Sequence, residues 1–224
     1  MENKGFKIDA IVALCVAVAG LSVAYAALSQ SLTVTTNASA TGLDATWNVF
    51  LSVDDGDGCT ITNLNNASST GGATTSSAGT ITVDSAARTN IEISGVVLAA
   101  PGDQVTCTFH AKNIGTMDAI LNGVTTSGAA SNNGLVTAVT GQGTAKTADE
   151  GIIKEQVTYA ITEADGAAIT TGATAKLANA TGTHAYKVTL TYNKDAEVAN
   201  IPAKAVTIGP IVSTFSYVQD GTAS

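Results

Sequence analysis

Apolar and polar residues alternate with a period of two through most of the chain beyond residue 30, the pattern of half-buried β-strands. In the run 103–112, Val105, Cys107, Phe109 and Ala111 share one face, and Gln104, Thr106, Thr108, His110 and Lys112 share the other. In 183–192, Tyr186, Val188, Leu190 and Tyr192 stand opposite Ala185, Lys187, Thr189 and Thr191. Trp47, Val49, Leu51 and Val53 alternate with Thr46, Asn48, Phe50 and Ser52, and Val157, Tyr159 and Ile161 alternate with Thr158, Ala160 and Thr162. Shorter strands are predicted at 31–36, 80–84, 90–98, 119–125, 135–140 and 206–218. Turn residues punctuate these runs: Pro101-Gly102-Asp103 precedes one strand, Asn113-Ile114-Gly115 follows it, and Asp165-Gly166 suits a two-residue hairpin loop. After the leader the pattern offers one modest helix, at 147–155. The Gly/Ser/Thr/Asn-rich stretches 63–79 and 126–147 have little to bury and are expected to form long surface loops. The fold class expected is all-β, an antiparallel β-sandwich occupying 27–224 as a single domain.

The N-terminus breaks the pattern. Lys4 and Lys7 precede an uncharged run, Ala10 to Leu28, and Ala24-Tyr25-Ala26 places small residues at the two positions a signal peptidase reads. Residues 1–26 are therefore expected to be a secretory signal cut after Ala26. Two other outcomes stay open. The same run is long enough to span a bilayer as a retained anchor. It could also be a pilin-like helix, since Lys4-Gly5-Phe6 resembles a prepilin cleavage site, although the glutamate expected at the fifth mature position falls at Ala10, with Asp9 one place early. All three imply export, so the location expected is secreted, extracellular or cell surface. Any membrane contact would run through this segment alone.

Composition narrows the partners. Charged residues make up 12% of the chain and aromatic residues 4%, which leaves a neutral, hydroxyl-rich surface. The net charge is -8, and the 10 basic residues are scattered singly, so no stripe exists to neutralise phosphates and nucleic acid is excluded as an expected partner. Cys15 lies inside the leader, which leaves Cys59 and Cys107 for the exported chain. Two cysteines in an oxidising compartment permit one disulfide, the alternative being two separately buried thiols. Such a bond would close a loop of about 50 residues and contribute on the order of 2 to 4 kcal/mol.

The segments AYAALSQSLTVTTNAS, PGDQVTCTFHAKNIGTMDA and the closing YKVTLTY, IPAKAVT and FSYVQ together resemble the camelysin and TasA-like exported proteins, including their biofilm-surface relatives in Gram-positive bacteria. The resemblance implies export through a dedicated signal peptidase and a jelly-roll-like form of the sandwich. Carried over by position, its turns correspond to Pro101, Gly102 and Asp103, and to Asn113, Gly115 and Asp118. These are framework positions, and no catalytic residue comes with them. Members of that family often lack a cysteine in the middle strand, so Cys107 with Cys59 marks a stapled variant.

Some of those proteins are described as metalloproteases, but this chain has only His110 and His184, no H-E-x-x-H, and no G-x-S-x-G. His110 is expected to point outward as a surface histidine, and His184 to begin a strand on the apolar side. The cluster Asp54-Asp55-Gly56-Asp57-Gly58 is the one metal-like feature, a calcium candidate through Asp54, Asp55 and Asp57 against the plainer reading of a solvated acidic turn. No other cofactor is expected, and no enzyme activity. What remains is assembly. After cleavage the chain would begin ALSQSLTVTT, an uncharged strand whose Leu28, Leu32 and Val34 could add to a neighbouring subunit's sheet. The function expected is a structural subunit of a surface fibre or biofilm matrix, with itself as partner and the signal peptidase as a transient one. The alternatives are a membrane-tethered adhesin or a pilin-like subunit that keeps its helix.

Overall fold

The computed structural model describes residues 48–64, 75–86 and 88–220. The leader with Ala24 and Ala26, the segment carrying Leu28, Leu32 and Val34, and Trp47 lie outside the described residues. Among the described residues no helix is long and apolar enough to cross a membrane.

The protein is mostly antiparallel β-sheet. One sheet is built on β5 (Asp103–Asn113), which pairs along its length with β11 (Gly182–Tyr192); β11 then pairs with β9 (Val157–Glu163), and β9 with the short β7 (Asn133–Leu135). The other edge of β5 is shared by β1 (Val49–Ser52) and β2 (Gly58–Asn63), one after the other. The second sheet runs β10 (Lys176–Leu177), β6 (Ala119–Ser127), β13 (Ile211–Gln219), β4 (Asn90–Ser94) and β3 (Thr80–Val83). A two-stranded ribbon joins β8 (Val139–Thr140) to β12 (Thr207–Ile208).

The alternation in the sequence is the cause of this arrangement. Along β5 every second residue, from Asp103 through Val105, Cys107, Phe109 and Ala111 to Asn113, is buried, and Tyr186, Val188, Leu190 and Tyr192 of β11 do the same beside them. Side chains of both sheets meet in one apolar core. Phe109 of the first sheet lies edge-on to Phe215 of the second, with ring centroids 5.5 Å apart. Tyr159 of β9 reaches across with its hydroxyl 2.7 Å from the Ser213 hydroxyl of β13, which is itself 2.8 Å from that of Thr126. This satisfied polar chain lets a buried phenol cross the core without an orphaned group. Burial pushes the Tyr159 phenol up to about 12.

Several predicted elements are redrawn. The stretch 126–147, expected as a loop apart from a short strand at 135–140, supplies β7 and β8 on either side of the fully buried Val136, whose amide donates to Val157 O. Pieces of two or three residues are too short to show a period. The single strand expected at 206–218 is split into β12 and β13 by Gly209-Pro210, where Gly209 has φ +107° and an added Cβ would lie 2.6 Å from Ile93 O. The strand expected at 90–98 stops at Ser94, before Gly95 at φ +71°. The helix expected at 147–155 is α1 (Lys146–Gln156). Its buried Asp149 accepts hydrogen bonds from the amides of Ala203 and Lys204, which docks the 203–204 loop on the helix.

Candidate functional site

The register along β5 defines the site the acidic cluster belongs to. Ser52 of β1 faces His110 and Gly58 of β2 faces Thr108, so residues 53–57 leave the sheet opposite Phe109. This turns the Asp/Gly run into a loop on the edge of a continuous strand. The loop closes by the Asp57 amide donating to Asp54 O at 2.9 Å, with Gly56 at φ +95° between them. Val53, expected on the core face with Leu51, is consequently 38% exposed.

The outward face of β5 meets this loop. His110 Nδ1 lies 2.8 Å from Asp57 Oδ2 and 3.9 Å from Asp54 Oδ2, and Lys112 Nζ lies 2.6 Å from Asp54 Oδ2. The Asp54 amide also donates to Asp57 Oδ2 at 2.9 Å. The bond from Lys112 holds the Asp54 carboxyl below the ordinary carboxylate range. For Asp57, burial works against ionisation, but bonds from the Asp54 amide, His110 and Thr108 together outweigh it and hold its carboxyl low as well.

Of the three predicted calcium ligands, Asp54 and Asp57 come together and Asp55 is not among the grouped residues; His110 takes the third place. An imidazole nitrogen and a competing lysine ammonium do not suit calcium, which takes six to eight oxygen donors. The donor set fits an ion-paired clasp. The Ser52 hydroxyl, cross-strand from His110, adds a smaller lowering effect on the Asp54 carboxyl. His110, read from sequence as a bystander, therefore anchors the loop.

Beside the clasp, Cys59 and Cys107 stand directly opposite in the β2–β5 register, with Cα atoms 4.0 Å apart, and form a disulfide. Cys107 is fully buried. The staple therefore ties the edge strand β2 to the central strand just past the point where the chain rejoins the sheet.

The turn residues close the two ends of β5. At its start, Asp103 is 5% exposed, and its carboxylate accepts the amides of Ala99 and Ala100, the Ser76 hydroxyl and the Asn63 side-chain amide, the last at 2.7 Å. Pro101 and Gly102, the latter at φ +89°, form the turn in which the Asp103 amide donates to Ala100 O. At its far end, Asn113 is fully buried: its amide nitrogen donates to Met117 O and Leu177 O, and its oxygen accepts the Gly115 amide. Asp118 accepts the Asn179 amide and sits 2.6 Å from Lys176 Nζ, which is also 3.1 Å from Asp220 Oδ2. The bond from Lys176 depresses the Asp118 carboxyl, and the bonds from Asp118 and Asp220 raise the Lys176 ammonium.

His184 follows the core phase of β11 but is 46% exposed on its side chain, because it lies at the open end of the strand. It is hydrogen-bonded to Glu163. Taken together, fold and site define a mostly antiparallel β protein with one disulfide-closed, ion-paired sheet edge. No family model matches the chain, and no curated protein or solved structure matches it either.

Proposed function

We propose that the protein is a secreted, non-enzymatic structural subunit of a bacterial surface fibre or biofilm matrix, a jelly-roll-like β-sandwich that polymerises by strand addition. The observation that carries this reading is the match between an uncharged edge strand and an uncharged segment of alternating sequence. Strand β3, Thr-Ile-Thr-Val, ends its sheet without a charge within the strand and, among the described residues, without a strand on its outer edge. The segment 27–36 carries no charge either and alternates Leu32 and Val34 with polar residues. An edge strand with no hydrogen-bonded neighbour on its outer side and a segment of alternating sequence are what β-augmentation requires, main-chain hydrogen bonds giving affinity and alternate side chains giving register. Addition from one subunit to the next does not close on itself, so the product is a filament.

Deleting residues 27–36 tests the donor half. Filaments should disappear from electron micrographs while the Cys59–Cys107 bond still forms in the purified chain; an unchanged filament yield rejects strand donation by this segment. The uncharged run from Ala10 to Leu28 also supports a second reading, a membrane-tethered adhesin or pilin-like subunit that keeps this segment. Sequencing the mature N-terminus separates them: Ala27 means release, Met1 a tether, and Phe6 pilin-type processing.

A further inference from the structure

At the end of the core opposite the Asp103 turn, the aromatic packing opens into a cavity of about 510 Å³. Its floor is a pair of phenols. Tyr186 stacks on Phe109 with centroids 5.6 Å apart, lies 5.0 Å from Phe215, and places its hydroxyl 3.2 Å from that of Tyr217. The His184 ring, centroid 4.8 Å from that of Tyr186, forms one wall. The segment between β9 and β10, with Thr170 and Thr174, forms another.

Two basic groups at this cavity, His184 and Lys176, are already paired. Glu163 is bonded to His184 and accepts the Thr170 amide at 3.0 Å; Lys176 is held between Asp118 and Asp220; and Asp165 accepts the Ala167 amide at 2.9 Å. An anionic ligand would have to displace a carboxylate from His184 or Lys176 to be recognised. What the cavity offers a newcomer is the exposed His184 ring, the half-buried Tyr217 ring, alanine methyls and hydroxyl groups that both donate and accept, over a Tyr186 ring that is itself buried. Burial pushes the Tyr186 phenol up to about 12 and raises that of Tyr217 too, so both remain O–H donors at any physiological pH. A volume of this size lies within the range of about 300 to 1,000 Å³ typical of small-molecule sites.

We infer that this cavity binds a neutral saccharide, one sugar unit or the end of a short glycan, seated on Tyr186, Tyr217 and His184. A sugar presents apolar C–H faces for the rings and hydroxyls that pair with the phenols, the complement of an aromatic, polar pocket whose His184 and Lys176 are already paired with carboxylates. The inference does not rest on filament formation, and its test is made on the unassembled chain.

The test is saturation-transfer NMR on the full chain with the methyl glycosides of glucose, galactose and N-acetylglucosamine, together with cellobiose, lactose and chitobiose. Transfer to ring protons of at least one of these is expected. Ala167→Trp, which puts an indole into the cavity from an exposed position, should abolish it. Tyr217→Phe, which keeps the ring and removes one hydroxyl, should weaken binding about fivefold, the equivalent of one hydrogen bond. Thr82→Lys, on β3, should leave it unchanged. The absence of transfer to all six probes overturns the inference. So does transfer that survives undiminished in both cavity variants, with their folding checked by an unaltered thermal midpoint.

Discussion

At the β1–β2 edge, residues 53–57 leave the sheet, His110 and Lys112 hold two aspartates of the loop, and a disulfide crosses to the central strand. At the β3 edge of the other sheet, four uncharged residues pair with β4 in unbroken register from Thr80 opposite Ser94 to Val83 opposite Ile91, and carry none of these devices. A bulge and charges discourage a further strand from pairing; a flat neutral strand invites one. The difference teaches that the disulfide and the His110 and Lys112 ion pairs secure the β1–β2 edge, while β3 carries neither. On the proposed reading, a fibre would grow at β3 and not at the clasped β1–β2 edge.

The comparison breaks most forcefully at the disulfide. Replacing Cys59 and Cys107 together by alanine should cost on the order of 2 to 4 kcal/mol, read as a lower denaturation midpoint, because the closed edge then depends on the clasp and main-chain bonds alone. A variant as stable as the parent would mean that the staple adds nothing to this edge.

A smaller loss is expected from Asp57→Asn, about 1 kcal/mol at neutral pH, since the pair with His110 is partly exposed. Acid should reproduce it. The carboxyls of Asp54 and Asp57 are held below the 3.8 of an ordinary aspartate, so the stability they contribute is complete above that pH and is lost as pH falls through their lowered values. Parent and Asp57→Asn should therefore differ in urea denaturation at pH 7 and converge near pH 2. A constant gap between the two would sink the clasp.

The smallest effect on stability is predicted where the effect on assembly is greatest. Thr82 is exposed and faces Glu92 of β4. Thr82→Lys adds a charge to the open edge and a cross-strand partner for that glutamate, so it should shift the monomer's stability by less than about 1 kcal/mol while preventing another strand from adding. Filament yield, set beside the thermal midpoint, checks both halves.

The long central strands were legible because burial alternates over all of β5 and over Tyr186 to Tyr192 of β11, long enough for the period of two to repeat. The same phase held information that alternation of apolar residues alone passes over. Asp103 and Asn113 share the parity of Val105 through Ala111, which places two polar side chains at the buried ends of the strand, where they cap the turns. The clasp was not legible. It depends on residues 53–57 looping out opposite Phe109, a long-range register that spacing along the chain does not reveal. A signal was present in the way Asp54-Asp55-Gly56-Asp57-Gly58 interrupts a strand that resumes at Cys59. β10 escapes, and the bounds of β7, β8 and β12 are misdrawn against longer expected strands, for a different reason: two or three residues are placed by their neighbours and not by any pattern of their own.

Electron microscopy of the purified chain beginning at Ala27, compared with its Thr82→Lys variant under the same conditions, tests the central claim of an open, growing edge most directly. The account predicts filaments from the parent and single particles from the variant. Uniform monomers from the parent, or equal filaments from both, would contradict it.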